Sequence, residues 1–502
     1  MPGEDRLTIV QRAVGFRSRP GLVDRDGPWT YADVVAQSTG VAVRLLGERR
    51  DLGEARVALL ASPGVAYVAG QWGAWLAGGV SVPLSPQQTR PEWEYVLDDS
   101  RAAFAAVSPE FADAFRPLAG PRGVHVAVLD PPVLVSAPPP AFPTVAPDRR
   151  ALMLYTSGTT SRPKGVVLTH ANIRAQVDCL VEAWDWRADD RVLHVLPLNH
   201  THGVINVLTC ALWTGAVCEI APTFDPILVW DRLASGDITV FMAVPAIYRR
   251  LIAAWQEASE GQRTAWSRGA ACLRLFVSGS AALPASVFEE WRRMTGHALL
   301  ERYGMTEIGM ALSNPLDGER RPGFVGSALP GVEVRLVDEH GADASPGEPG
   351  EILVRGPAVF LEYWRLPDAT ASAFIEGGWF RTGDVAVAED DAFRILGRLS
   401  VDIIKTGGEK VSALEIEDVL RNHPAIIDCA VVGPPDPEWG ECVAAVVVLK
   451  PGAGLLLEEL RNWARVRLSG PKLPRRMAVL EALPRNAMGK VAKTQLIQLF
   501  EA

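Results

Sequence analysis

The sequence predicts an α/β protein, with a large N-terminal domain of parallel-sheet and β subdomains and a small α+β C-terminal domain. The apolar runs Arg56–Leu60 and Val80–Leu84 bracket the helix-like segment Ala66–Leu76, which is the order of a β-α-β unit with parallel strands. A chain of 502 residues exceeds one ordinary core, so roughly two to four structural units are expected. Roughly the last hundred residues carry a separate strand and helix pattern, which indicates the smaller domain.

Turn-rich stretches divide the rest of the chain. A proline-rich connection at 131–143 leads to the apolar run Ala151–Leu154, and a second break at 340–350 precedes the strand-like run Glu351–Arg355, as in a smaller β subdomain. Beyond a boundary near Arg398, two strand-like runs and a helix-like run follow: Ile426–Val432, Val443–Leu449 and Leu457–Leu468. The domains are therefore placed at residues 1–398 and 399–502.

Composition narrows the class of protein. A net charge of −9 leaves no basic surface for nucleic acid and gives little attraction to anionic membranes. The six cysteines are scattered, without zinc-ligand spacing or a dense disulfide framework, which favours a reducing compartment. The longest apolar stretch is broken by polar residues and glycines, and no secretory signal stands at the start. We expect a soluble cytoplasmic enzyme with no membrane span.

The segment Tyr155–Gly165 has the composition of a phosphate-binding loop. It holds two glycines, five aliphatic hydroxyls and two cations directly after an apolar run. Glycines let the backbone approach an anion, hydroxyls and N–H groups donate to phosphate oxygens, and Lys164 supplies positive charge. The order differs from the P-loop of nucleotide triphosphatases, because Lys164 precedes the last glycine. A flexible polar turn is the alternative on composition alone.

Further polar strings follow at wide intervals. Glu301–Glu307 offers a carboxylate and hydroxyls, which suits Mg²⁺ bound together with phosphate. Asp384 ends the string Trp379–Asp384, and one carboxylate can accept from both hydroxyls of a ribose diol. Two more glycine-containing strings complete the set: Gly397–Lys410 and Pro484–Lys490.

Together these strings resemble the acyl-adenylate-forming superfamily, which contains acyl-CoA synthetases, luciferases and peptide-synthetase adenylation domains. The likeness is close from Ala151 to Lys493 and general before Ala151. It implies that a carboxylate and ATP form acyl-AMP and pyrophosphate, and that a thiol then takes the acyl group. ATP, Mg²⁺ and CoA as co-substrate are the expected cofactors. It also implies a mobile C-terminal domain that alternates between two orientations.

The resemblance assigns roles residue by residue. The residues implied in nucleotide binding are Thr156, Ser157, Gly158, Thr159, Thr160, Lys164, Ser280, Ala281, Glu301, Tyr303, Gly304, Thr306, Asp384 and Arg398. The residues implied in catalysis are Lys490, Thr306, Glu307 and Lys405, with Glu307 also the Mg²⁺ ligand. Gly407 and Gly408 would line the thiol tunnel, and Ser400 stands at the hinge, where many relatives carry Asp or Lys.

Lys490 matches the lysine that the C-terminal domain delivers for adenylation. Its ammonium would bridge the attacking carboxylate and the α-phosphate as pyrophosphate leaves. At an effective dielectric near 20, such a contact is worth roughly 4 kcal/mol, or on the order of a thousandfold in rate.

The substrate acid is predicted to carry a second carboxylate. Arg302 and Arg250 would be costly in a dry pocket unless an anion paired with them, and Arg suits bidentate carboxylate binding. The full set of expected substrate-binding residues is His200, His202, Arg250, Ser278, Arg302 and Met305. The strings Glu301–Ser313, Val195–Asn206 and Phe241–Pro245 resemble the malonyl-CoA synthetase branch, which includes methylmalonate activators.

Alternatives remain at this point. A medium-chain or aryl acyl-CoA ligase would turn Arg302 towards ATP or CoA instead of the acid. A carrier-loading module would pass the acyl group to the phosphopantetheine arm of a partner protein. A degenerate member that only binds nucleotide conflicts with the presence of Lys490 and Asp384. The leading expectation is a ligase that joins malonate or methylmalonate to CoA.

Overall fold

The computed structural model describes residues 7–130, 141–156, 162–485 and 491–500. Within these ranges the α-helices are α1 Thr8–Phe16, α2 Tyr31–Leu46, α3 Val65–Leu76, α4 Arg90–Ser100, α5 Pro109–Ala119, α6 His170–Ala183, α7 Cys210–Thr214, α8 Pro226–Leu233, α9 Pro245–Glu257, α10 Glu260–Ala270, α11 Ala285–Thr295, α12 Pro367–Ala373, α13 Ala413–Leu420, α14 Leu457–Ala464 and α15 Lys493–Ile497. A π-helix spans His202–Thr209, immediately before α7. None of the described helices is long and apolar enough to span a bilayer.

The strands up to the middle of the chain are β1 Pro20–Asp24, β2 Gly27–Thr30, β3 Arg56–Leu60, β4 Val80–Pro83, β5 Phe104–Val107, β6 His125–Val128, β7 Arg150–Thr156, β8 Lys164–Thr169, β9 Arg191–His194, β10 Val217–Ile220, β11 Val240–Ala243, β12 Leu275–Ser278, β13 Leu300–Met305 and β14 Gly309–Ser313. The later strands are β15 Ser327–Ala328, β16 Glu333–Val337, β17 Gly350–Arg355, β18 Glu362–Tyr363, β19 Phe374–Ile375, β20 Trp379–Glu389, β21 Ala392–Arg398, β22 Ile403–Thr406, β23 Glu409–Ser412, β24 Ile426–Val432, β25 Pro435–Asp436, β26 Gly440–Glu441, β27 Ala444–Leu449 and β28 Arg476–Val479.

Two largely parallel sheets form the body of the protein. The first sheet has the order β15-β14-β13-β12-β11-β9-β10-β1-β2, and its central strands from β13 to β1 are parallel. The second sheet has the order β18-β8-β7-β4-β3-β5-β6 and is parallel from β7 to β6. The strands β3 and β4 are nearly all buried, as expected for parallel strands covered by helices on both faces. The β-α-β unit predicted from the sequence is therefore present.

Antiparallel pairing builds the remaining part of the fold before Arg398. The third sheet runs β16-β17-β20-β19, with β21 paired to β20. It contains the predicted strand at Glu351–Arg355, one residue longer at its start. This sheet is the smaller β subdomain that the turn-rich break at 340–350 indicated.

A separate C-terminal module follows Arg398. Its strands form one sheet in the order β23-β22-β26-β25 and another in the order β24-β27-β28, and within the described ranges they pair only with one another. A core of its own packs around Ile416, Val431 and Leu460. The predicted α/β class with a separate C-terminal α+β domain is confirmed.

Two local predictions differ from the structure. The helix predicted at Leu457–Leu468 ends as an α-helix at Ala464, because the chain tightens into turns before the 3₁₀ segment Gly470–Lys472. The N–H group of Leu468 still donates to the Ala464 carbonyl at 2.9 Å. The second difference is the π-helix His202–Thr209, an element that was not predicted from the sequence.

Candidate active site

The described ends of the predicted phosphate-binding segment belong to β7 and β8, which pair antiparallel. Thr156 and Lys164 lie directly opposite each other where the two strands meet, and Tyr155 lies opposite Gly165. The Lys164 ammonium stands 4.9 Å from the centroid of the Tyr363 ring. Four predicted phosphate contacts lie outside the described residues: Ser157, Gly158, Thr159 and Thr160. Lys164 thus supplies a cation at the C-terminal end of the glycine- and hydroxyl-rich segment.

Glu307 is buried beside these two strands. Its Oε1 accepts a hydrogen bond from the Tyr363 hydroxyl at 3.0 Å, and Tyr363 belongs to β18, which pairs with β8. Burial raises the pKa of the Glu307 carboxyl above its ordinary value. The neighbouring Thr306 hydroxyl lies 3.4 Å from the Thr201 hydroxyl. A cation at this carboxylate would favour its ionised form and offset the cost of burial.

Asp384 is held by residues from two other strands. Its Oδ2 accepts from the Tyr303 hydroxyl at 2.6 Å, and its two oxygens accept from Nε and Nη2 of Arg398 at 3.0 and 3.2 Å. Asp384 and Arg398 are direct cross-strand partners in β20 and β21. Burial works against the Arg398 charge, but Asp384 outweighs it, so the pKa of Arg398 is raised. The sequence predicted Tyr303, Asp384 and Arg398 as nucleotide contacts, and the structure brings them together.

The turn after β12 brings small residues close to a buried cation. Ser278 ends the strand and is fully buried. A Cβ atom on Gly279 would lie 2.5 Å from Cζ of Arg302, so any larger residue at position 279 would displace the guanidinium. Ser280 adopts the left-handed conformation with φ 69°, which is uncommon outside glycine and often marks functional sites. Ala281 follows and is exposed.

The guanidinium of Arg302 is buried and forms no salt bridge with an acidic side chain among the described residues. Its side chain is part of a residue only 3% exposed, and neither Nε nor Nη2 has a hydrogen-bond partner. Burial lowers the pKa of Arg302 to about 10. The adjacent Glu301 does not neutralise it fully, since burial raises the pKa of that carboxyl to about 8 and its Oε1 accepts from the Leu283 N–H at 3.0 Å.

The π-helix faces this guanidinium. His202 is buried, its Nδ1 lies 3.3 Å from the Ser280 hydroxyl, and its Nε2 has no partner. Burial, and then the Arg302 charge, hold the pKa of His202 well below its ordinary value, so the ring is neutral. Asn206 is fully buried, with neither amide atom hydrogen-bonded. We refer to His202, Asn206, Ser278 and Arg302 as the buried polar cluster.

His200 is half-buried just before this helix. Its carbonyl accepts from the Val204 N–H at 2.9 Å. Gly304 and Met305 end β13 and are also half-buried. These three residues therefore border the buried polar cluster in the chain, and their predicted roles in binding stay predictions.

Arg250 corrects one expectation. The two-guanidinium hypothesis placed Arg302 and Arg250 together in a dry pocket, but Arg250 is exposed in α9 and its guanidinium stands 4.5 Å from the Phe224 ring centroid. Position 250 follows the buried Tyr248 by two residues, which turns it away from the helix face that packs on the sheet. Burial of an unpaired guanidinium is thus limited to Arg302 of this pair.

The residues predicted for hinge and thiol tunnel lie in or next to the C-terminal module. Ser400 is exposed in a turn in which the Asp402 N–H donates to the Arg398 carbonyl at 2.8 Å. Lys405 is exposed, and its backbone N–H donates to Glu441 at 2.8 Å. The positions expected to line the tunnel, Gly407 and Gly408, are not buried either. Lys490 lies outside the described residues.

Three residues of the site were not singled out from the sequence. Tyr363 comes from a short strand with no polar motif around it, and Thr201 lies between the two histidines. Asn206 closes the string Val195–Asn206, whose overall likeness was noted without a role for the amide. Only the structure, through hydrogen bonding and burial, distinguishes these side chains from packed ones.

Comparison with known proteins gives a consistent result along the whole chain. The family model described as AMP-binding enzyme matches residues 9–364, and the model described as AMP-binding enzyme C-terminal domain matches residues 415–490. Malonate–CoA ligase ACSF3, mitochondrial, of Bos taurus is 46% identical over 525 residues, covering 98% of this chain and 90% of the relative.

Solved structures show the same similarity. The ATP-bound MatB structure from Rhodopseudomonas palustris superposes with a TM-score of 0.90 at 35% identity, covering 99% of both chains. A malonyl-CoA ligase in a ternary product complex with methylmalonyl-CoA and AMP gives a TM-score of 0.68 at 37% identity, covering 94% of this chain and 97% of the other. The arrangement described here is thus closer to the ATP-bound structure than to the product complex.

Proposed function

The chain belongs to the family of AMP-binding enzymes, and from that premise we propose that it joins malonate to CoA through an acyl-adenylate. The superfamily resemblance deduced from the motifs is confirmed by this membership. The enzyme is an AMP-forming acid–thiol ligase that consumes ATP and releases AMP and pyrophosphate.

Two half-reactions make up the chemistry. In the first, a carboxylate oxygen of malonate attacks the α-phosphorus of ATP, the new O–P bond forms, and pyrophosphate leaves with the electrons of the broken P–O bond. In the second, the CoA thiol, after losing its proton, attacks the acyl carbonyl, and AMP leaves. The second carboxylate of malonate takes part in neither step, so the protein has to hold it by charge and hydrogen bonding alone.

The observation that carries the proposal is the unpaired guanidinium edge of Arg302. Nε and Nη2 are the two donors on one side of the guanidinium, and together they match the two oxygens of a carboxylate. An unpartnered cation that is 3% exposed is costly, and an anionic ligand offsets that cost. A diacid has such a group to offer after its other carboxylate is committed to ATP.

Three side chains support the nucleotide end of the proposal. Asp384 presents its carboxylate on β20, where it suits a ribose diol, and Lys164 stands at the base of the phosphate loop. Glu307 fits Mg²⁺, because a buried carboxylate beside a phosphate loop supplies the hard oxygen that this ion prefers. When bound, Mg²⁺ would offset the charge of the triphosphate. Lys490 is proposed as the second cation at the reacting phosphate.

The test is pyrophosphate release measured over a panel of acids. We expect kcat/KM for malonate to exceed that for acetate, butyrate, hexanoate and benzoate by about 10⁴-fold, because a site built for a polar group rejects analogues that lack it. Methylmalonate belongs in the same panel, since it keeps both carboxylates. If hexanoate or benzoate outperformed malonate, the diacid proposal would be wrong. Free CoA and a phosphopantetheine-bearing carrier protein are compared as acceptors in the second half-reaction.

A further inference from the structure

Asn206 has a property that packing does not explain. It is 0% exposed, and neither its side-chain nitrogen nor its side-chain oxygen has a hydrogen-bond partner among the residues that the structure describes. Two other buried side-chain amides among the described residues have an atom without a hydrogen-bond partner. These are Gln71 and Gln176, and in each of them only Nε2 lacks a partner. An amide buried without partners destabilises a protein, whereas an apolar side chain of the same size does not. A ligand that satisfies the amide would account for its presence.

The π-helix places Asn206 in the buried polar cluster. Each residue of a π-helix bonds to the one five positions away, so residues four apart lie close together on one side. Asn206 stands four positions after His202, whose Nδ1 lies 3.3 Å from the Ser280 hydroxyl. The residue before Ser280 is Gly279, where a Cβ atom would lie 2.5 Å from Cζ of Arg302, so the guanidinium lies close to the turn that contacts His202. π-Helices are rare and often occur at functional sites.

The sheet supports the same placement. Arg302 is the direct cross-strand partner of Ser313, whose hydroxyl accepts from Nε1 of Trp184 at 3.0 Å at the end of α6. This face of β13 and β14 therefore looks towards α6. The π-helix also packs against α6. Arg302 and the π-helix lie on the same side of the first sheet.

We propose that Asn206 is a specificity-determining residue, whose Nδ2 donates to an oxygen of the second carboxylate while Arg302 binds it through Nε and Nη2. The inference rests on the proposed function and names a second residue that recognises the diacid. With a monocarboxylic acid the amide and the guanidinium edge both stay unpaired, so the two residues discriminate in the same direction. Asn206 is thus retained for substrate choice at the expense of stability.

The experiment compares malonate with butyrate in acid-dependent pyrophosphate release by full-length protein. Asn206→Leu removes the unpaired amide at nearly constant volume. We expect kcat/KM for malonate to fall about 10- to 100-fold, the loss of one hydrogen bond to a charged group, with kcat/KM for butyrate unchanged or higher. We also expect Tm to rise. If Asn206 had only a structural role, Asn206→Leu would not lower kcat/KM for malonate while raising Tm.

Two more variants make the result decisive. Asn206→Asp keeps the shape of the side chain and adds a charge of the same sign as the second carboxylate. We expect kcat/KM for malonate to fall at least as much as in Asn206→Leu, and kcat/KM for butyrate to stay the same. This variant provides the test if Asn206→Leu does not fold. Gln71→Leu, a buried amide in α3, is the matched control and should keep the wild-type ratio of malonate to butyrate. An unchanged ratio in both Asn206 variants would overturn the inference. A wild-type enzyme that ignores malonate would instead overturn the proposed function.

Discussion

At the scale of single residues, charge that folding buries without a counter-charge is the feature that distinguishes this site. Arg302 and Glu301 are neighbours on β13, yet each keeps an unpartnered atom and a pKa shifted towards the neutral form. A well-made buried ion pair satisfies both partners. This pair does not, so part of its hydrogen-bonding capacity is left for a ligand.

Arg302→Met tests the guanidinium directly. Two hydrogen bonds to a charged group are worth about 3 to 6 kcal/mol, so kcat/KM for malonate should fall about 10²- to 10⁴-fold. Thermal stability should stay level or rise, because the variant removes a buried unpaired cation of similar volume. Steady-state kinetics and a thermal melt provide the two readouts. Arg250→Met, at an exposed position, should cost malonate much less, and an equal loss would show that both guanidiniums hold the acid.

Glu301→Gln tests the buried carboxyl through the pH dependence of stability. Burial raises the folded pKa of Glu301 to about 8, above its value in the unfolded chain. Between pH 4.5, the ordinary value, and pH 8 the unfolded state therefore binds fewer protons than the folded state, so stability falls as pH rises, on the order of 1 kcal/mol per pH unit. The variant lacks this loss.

Urea denaturation at pH 5 and pH 8 measures the effect of Glu301→Gln. The stability of the variant relative to wild type should increase with pH across this window. Ionisable groups that do not interact with Glu301 are common to both proteins and cancel in the comparison, whereas Asp418 acts electrostatically on Glu301 and its response is part of the measured difference. Parallel stability curves would show that Glu301 ionises normally in the folded protein.

At the scale of elements, the described residues on either side of position 490 are held by ion pairs. Before it, Arg485 pairs with Asp428 at 2.5 Å and forms an isolated bridge with Val491. After it, the buried Lys493 ammonium lies 2.6 Å from both Asp402 and Glu417. Burial opposes the Lys493 charge, but the two carboxylates raise its pKa overall. Asp402 also accepts from the Arg398 N–H, so these contacts reach the turn between the domains.

Lys493→Ala should destabilise the C-terminal module strongly. It leaves the largely buried Asp402 carboxylate without its cation and the buried Glu417 carboxylate with Arg421 alone, which costs about 3 to 5 kcal/mol. Denaturant unfolding should show this loss of stability. Acyl-AMP formation should also slow, because the chain loses its ion pairs three positions after Lys490. Lys472→Ala is the control, since the Lys472–Glu415 pair of the same module is partly exposed and should be worth about 1 kcal/mol or less. Equal losses from the two variants would contradict the special role of Lys493.

The elements predicted most accurately are those with local causes. The strand at Arg56–Leu60 and the strand at Ile426–Val432 have the predicted bounds. The first is an apolar run that is buried after its first residue, and the second is rich in β-branched residues, which favour strands. The strand predicted at Val443–Leu449 begins one residue later. The π-helix could not be predicted, because its hydrogen bonds differ from those of an α-helix by one residue and leave no periodic signature over eight residues.

The residues of the site also differ in how well the sequence predicts them. Residues inside compact motifs, such as Glu307 and Asp384, could be chosen from the sequence because residue type and spacing match the chemistry. Their partners could not: Tyr363 reaches Glu307 from 56 positions away, and only strand pairing between β18 and β8 brings it there. The exposure of Arg250 depends on how α9 packs, which the motif does not specify.

At the scale of the whole molecule, a carboxylate of the small domain acts at the N-terminus of a helix of the large one. The first residue of α11, Ala285, has no side-chain cap, and its N–H group favours the ionised form of Asp418 in α13. A negative charge at a helix N-terminus is favourable, and burial at this contact raises the pKa of Asp418. The contact belongs to the arrangement that resembles the ATP-bound structure.

Asp418→Ala should therefore shift the balance between domain orientations. Loss of this carboxylate at the helix N-terminus costs about 1 kcal/mol, so we expect acyl-AMP formation to slow roughly fivefold, while thioester formation from supplied acyl-AMP keeps its rate. Single-turnover measurements of the two half-reactions separate these effects. Glu339→Gln removes the exposed Lys410–Glu339 pair and should change neither half-reaction. Equal slowing of both half-reactions by Asp418→Ala would refute the assignment.

Asp384 and Arg398 face each other at the last paired position before the chain crosses into the C-terminal module. A carboxylate offers about four acceptor positions, and Tyr303 and Arg398 already occupy three of them. An arriving ribose diol has to compete with the guanidinium for these oxygens. We expect nucleotide binding to weaken the contact between Asp384 and Arg398, and nucleotide release to restore it. Because the ribose stays bound from the entry of ATP until the release of AMP, this competition would return the turn after Arg398 to its nucleotide-free state once in each catalytic cycle.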